Sequence, residues 1–111
     1  MEHDKDQRSA MKQRIIAAAR TDDRIVGLVD YGSGGEGRAD DLSDVDVAVF
    51  VRDDAYDAFA RDWQVWAAQF GSPLLAYRGR YRHPWCVYDT QPVPLRVDFD
   101  LHRASHAGRV I

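Results

Sequence analysis

The chain has a single cysteine, Cys86, so no intrachain disulfide can form, and one unpaired thiol fits a reducing, cytoplasmic setting. It lacks any apolar run near the roughly 18 residues that a membrane helix requires. Its start, Met1-Glu2-His3-Asp4-Lys5-Asp6, is charged and leads into no apolar signal core, which argues against secretion. A basic excess is also missing: the net charge is −3. Duplex nucleic acid is therefore not an expected partner, because neutralising phosphates supplies most of that affinity. Metal-bound polyanions such as nucleoside triphosphates remain compatible with an acidic chain. No internal repeat or low-complexity tract is present. With 111 residues, 45% hydrophobic and 30% charged, the chain suits one domain with a real core.

Local patterns predict a helix from Ser9 to Arg20, with Ser9 as N-cap and Met11, Ile15, Ala18 and Ala19 at helical spacing. Residues 1–8 are expected to be flexible. Ile25 to Tyr31 reads as a strand that stops at the glycine-rich Gly32-Ser33-Gly34-Gly35-Glu36-Gly37, a loop able to approach a ligand closely. Val45 to Val51 is a second strand. Asp53 or Asp54 is then expected to cap a helix in which Tyr56, Phe59, Ala60, Trp63, Trp66, Ala67 and Phe70 form one face, with Gly71 ending it. That aromatic face suits packing on a sheet better than ligand stacking. Leu74 to Tyr77, Cys86 to Tyr88 and Leu95 to Leu101 complete the strands, which gives an α+β domain with a mixed sheet.

The chemistry-bearing residues sit on two of these strands. In Ser43-Asp44-Val45-Asp46-Val47, alternation puts Asp44 and Asp46 on one face. In Arg96-Val97-Asp98-Phe99-Asp100-Leu101, it does the same for Asp98 and Asp100. Carboxylates crowded on one face repel, and a hard divalent cation relieves that repulsion. If the strands are neighbours, the site can hold two metal ions ~3.5–4 Å apart, the clamp used in phosphoryl and nucleotidyl transfer. The loop beginning at Gly32 lies 12 residues before Asp44 and offers backbone N–H groups and the Ser33 hydroxyl to a phosphate. It is neither a Walker A loop nor a dinucleotide fingerprint.

Taken together, Tyr31-Gly32-Ser33, ten residues, then Asp44-Val45-Asp46-Val47 resembles the signature of the DNA polymerase beta-type nucleotidyltransferases. The nearer likeness is to the small bacterial and antibiotic-modifying branch, with Gly37 and Ser43 also at matching positions and Arg96-Val97-Asp98-Phe99 resembling the strand of the third carboxylate. The resemblance implies a mixed β-sheet flanked by helices. It also implies Mg²⁺-dependent transfer of a nucleoside monophosphate, AMP from ATP, to a hydroxyl of a small molecule such as an aminoglycoside or lincosamide. Gly32 and Ser33 would hold the nucleotide phosphates. Asp44, Asp46 and Asp98 would be catalytic and ligate two Mg²⁺ ions, with Asp100 the runner-up to Asp98. The alternative is a minimal member acting as the antitoxin-like partner of a helical protein, or a degenerate module that binds nucleotide without turnover. A protein acceptor and a homodimer fall within the same implication.

The chain departs from that pattern at Gly34-Gly35-Glu36, where minimal members carry Arg-Ala-Arg, and at Asp30, where an apolar residue is usual. Both differences favour the antibiotic-type branch. Such members have a second, helical domain for the acceptor, so the tail to Ile111 implies either a truncated product or recognition by a second subunit. His83 and His102 show no zinc-ligand spacing with Cys86, so no zinc site is expected there. Tyr77, Tyr81, Trp85 and Tyr88 interleave with Arg78, Arg80 and Arg82, which predicts a hairpin with one packed aromatic face.

Overall fold

The computed structural model describes residues 2–31, 45–78 and 83–110. Helix α1 (Glu2–Thr21) is followed by β1 (Ile25–Asp30), β2 (Val45–Val51), α2 (Asp53–Arg61) and α3 (Trp63–Ala67). After a 3-10 turn (Ala68–Phe70) come β3 (Pro73–Tyr77), β4 (Trp85–Tyr88), β5 (Leu95–Arg103), a second 3-10 turn (Ala104–His106) and α4 (Ala107–Val110). The strands form one mixed sheet in the order β1-β2-β5-β4-β3. β2 runs parallel to β5, and the other neighbours are antiparallel. The expected α+β class with a mixed sheet and helices is therefore what the chain adopts. No helix among the described residues is long and apolar enough to cross a membrane.

The apolar alternation of both strands sets which of their faces is buried. Val45, Val47, Val49 and Val51 of β2 and Val97, Phe99 and Leu101 of β5 are all buried in one cluster. Met11 and Ile15 from α1, and Phe59, Trp63, Trp66 and Phe70 from the second helical region, complete that cluster. The Trp66 ring lies 5.5 Å from Phe99 and 4.9 Å from Phe70, both edge-on, an arrangement favoured by the ring quadrupoles. The expected apolar helix face thus packs on the sheet.

Three local expectations are corrected. α1 reaches back to Glu2, so Ser9 lies inside the helix and does not cap it. Within the added stretch, buried Gln7 ties the helix to the rest of the fold, its side-chain amide donating to Thr90 Oγ1 and to the Val93 carbonyl, a long-range contact that local spacing does not reveal. The single long aromatic helix is broken at Asp62, whose φ of −105° and ψ of 20° leave the helical region. The apolar spacing survives this break because both pieces still face the sheet. Neither Asp53 nor Asp54 is the N-cap of α2. Arg52 holds that position without a side-chain cap, and the Asp53 carboxylate instead accepts the Ser105 N–H at 3.0 Å.

Candidate functional site

Because β2 and β5 are parallel and in register, Asp46 is paired directly with Asp98, Ala48 with Asp100 and Phe50 with His102. Paired residues point to the same side of a sheet, and here that side is away from the Val97-Phe99-Leu101 core. The strand alternation expected from the sequence is thus realised, and both acidic strands are neighbours. A cavity of about 360 Å³ is lined by Tyr31, Asp46, His83, Asp98 and Asp100. Gly32, Ser33 and Asp44, the remaining expected site residues, lie outside the described residues, as do Arg80, Tyr81 and Arg82. Tyr31 carries the chain to the cavity, its N–H bonded to the Asp46 carbonyl at 2.9 Å.

The two carboxylates of β5 have different surroundings. Asp98 accepts a hydrogen bond from Arg96 Nε at 2.9 Å, and the Arg96 guanidinium lies 4.6 Å from the Trp85 ring centre. Trp85 faces the same way because β4 pairs it with Asp98. Tyr77 lies beside it, ring centres 5.7 Å apart and tilted by 41°, so the hairpin lacks the expected single packed aromatic face: Tyr77 and Trp85 are on the acidic side, while Tyr88 is buried on the other. Asp100 is flanked by two imidazoles: His83 Nε2 touches Oδ1, and His102 Nε2 lies 3.0 Å from Oδ2. Burial works to raise the Asp100 carboxyl, but the two imidazoles outweigh it and hold the group below the ordinary aspartate range. Contact with that carboxylate raises His83 above the usual imidazole value, against the opposing effect of burial.

Asp30 does not add its charge to this face. It pairs with Val47 across β1 and β2, which turns it to the helix side, where it meets Lys12 Nζ at 3.1 Å. The departure noted in the sequence is therefore a helix–strand ion pair. Cys86 is buried in the core, and burial pushes its thiol pKa up. His83 and His102, expected to have no metal role with Cys86, converge instead on Asp100. Spacing could have flagged His102, since Arg96, Asp98, Asp100 and His102 alternate along one face. Nothing local could have flagged His83.

Carboxylate oxygens from Asp46 and Asp98 on adjacent strands are a donor set of the kind hard divalent cations prefer, with the cavity leaving room for water and phosphate. Compared with known proteins, the chain matches no family model and no curated protein.

Proposed function

We propose that the chain is a Mg²⁺-dependent nucleotidyltransferase with the polymerase beta-like fold, transferring AMP from ATP to a hydroxyl of a small molecule of the aminoglycoside or lincosamide kind. The observation that carries this reading is the in-register placement of Asp46 and Asp98 on parallel neighbours, facing one cavity that Tyr31, the residue after β1, also lines. Asp44, Asp46 and Asp98 hold the metal, and the Gly32-Ser33 loop holds the nucleotide phosphates. Bound Mg²⁺ supplies electrostatic stabilisation of the charge that builds on the phosphoryl oxygens during in-line attack. Asp98 takes the third carboxylate's role because it stands opposite Asp46, whereas Asp100 stands opposite Ala48 and is engaged by two histidines. Arg96 orients the Asp98 carboxylate through its 2.9 Å hydrogen bond.

The test couples binding and transfer. Mg-ATP at about 100 times its dissociation constant should stabilise the native protein by ~2.7 kcal/mol. Labelled ATP should mark an acceptor from an aminoglycoside and lincosamide panel, and Asp98→Asn should remove both effects while Asp100→Asn retains most of the Mg-ATP shift. Absence of any thermal shift at millimolar Mg-ATP refutes the reading. Binding without labelling would reduce it to a nucleotide-binding module.

A further inference from the structure

His83, Asp100 and His102 form a cluster of their own at the border of the cavity. They come from two places: His83 precedes β4, while Asp100 and His102 are alternate residues on one face of β5. One ligand atom from each lies within 4.8 Å of the others. The two imidazole centres are 5.5 Å apart and the rings are inclined by 57°. His102 is held from behind by Phe50, which is buried and stacks on it at 5.3 Å with 22° between the planes.

Contacts this close would ordinarily be hydrogen bonds. His83 Nε2 and His102 Nε2 both reach the Asp100 carboxylate, yet Asp100 Oδ1 and His102 Nε2 are buried and make no well-aligned hydrogen bond among the described residues. Leaving two such atoms unsatisfied is costly in the absence of a further partner. Ligand atoms that crowd together in poorly aligned contacts fit a shared cation, toward which all of them converge. The donor set then selects the ion. Two imidazoles with one carboxylate are poor ligands for Mg²⁺ and good ones for a borderline first-row ion. Three protein ligands leave one position of a tetrahedral ion open, as in catalytic zinc sites.

We infer that His83, Asp100 and His102 bind a divalent transition-metal ion of the Zn²⁺ class, with its open position toward the cavity lined by Asp46 and Asp98. Zinc–ligand bonds of about 2.0–2.1 Å put tetrahedral donors roughly 3.3 Å apart. The half-exposed His83 side chain has solvent on one side and so has room to adjust toward that spacing. The site is distinct from the hard-oxygen pair Asp46 and Asp98, and its occupancy does not depend on the nucleotidyl-transfer reading.

The experiment titrates metal-stripped protein with Zn²⁺ against a chromophoric chelator and with Co²⁺ by visible absorption. One equivalent should bind per chain, Co²⁺ should give the intense d–d bands of a four-coordinate ion, and Zn²⁺ but not Mg²⁺ should displace it. His83→Ala should weaken Zn²⁺ binding by more than the roughly 10–100-fold that loss of an outer partner costs. Asp100→Asn and His102→Gln should do the same, while Cys86→Ala and His106→Ala should not. If His102→Gln fails to fold, the half-exposed His83 still decides the question. Zn²⁺ binding undiminished in His83→Ala, or absent at ~0.1 mM, overturns the inference. The Mg-ATP thermal shift of the unmodified, zinc-free protein separates the two readings, since it reports on Asp46 and Asp98 whichever way the zinc result falls.

Discussion

Replacing Phe99 by alanine tests whether the acidic face is set by the core beneath it. Phe99 is fully buried, and its ring lies 5.5 Å from Trp66, 6.2 Å from Phe70 and 6.3 Å from Trp63. The truncation removes about 100 Å³ of side chain, and at ~24 cal/mol per Å³ of unrelaxed cavity that alone costs roughly 2.4 kcal/mol. Lost transfer energy and aromatic pairs bring the expected total to about 4 kcal/mol, within the usual range for buried phenylalanine. A domain of this size has roughly 5–15 kcal/mol in all, so the variant should be folded but much weakened. Urea denaturation followed by circular dichroism reads this directly, as a lower midpoint with an unchanged slope. Phe99→Leu should cost less than about 1.5 kcal/mol, because volume is largely kept. A loss below ~1 kcal/mol for Phe99→Ala would refute the packing argument. It would also remove the reason given for Asp98 and Asp100 facing the cavity, since the buried alternate residues orient them.

Other perturbations have equally definite expectations. Tyr88→Phe removes the hydroxyl that donates to the Ala67 carbonyl at 2.6 Å and should cost about 1–2 kcal/mol, measured by the same urea titration. Asp22 accepts from the Arg24 backbone N–H and guanidinium, and the hydrogen-bonded Arg24 side chain holds its carboxyl below the ordinary range. That contribution is present above the unfolded aspartate value of about 3.9 and is lost as pH falls through the lower folded value. Asp22→Ala should therefore cost up to ~1 kcal/mol at pH 7, and the gap from the unmodified protein should close in strong acid; a gap that widens there would refute the pairing. Cys86 should resist a thiol reagent in the native protein and react fully once urea unfolds it, because it is buried and its thiolate is disfavoured.

Strand identity and facing were legible in the sequence because they depend on neighbours one and two residues away. The period-two alternation of Val97, Phe99 and Leu101 with Asp98 and Asp100 needs no tertiary knowledge, and the burial along β5 follows it. The aromatic spacing of the second helical region likewise told which side meets the sheet, although not that Asp62 breaks it, since both pieces keep the same apolar face. What the sequence left open was decided by pairing between distant segments. Only the parallel register of β2 with β5 places Asp98 opposite Asp46 and Asp100 opposite Ala48, which gives two similar carboxylates different surroundings. Only the tertiary fold brings His83 to Asp100, and only the packing of α1 on β1 brings Lys12 to Asp30. A side chain's face is a local property of backbone geometry, while its partner depends on which strand lies alongside and in what register, and that is set by burying the core as a whole.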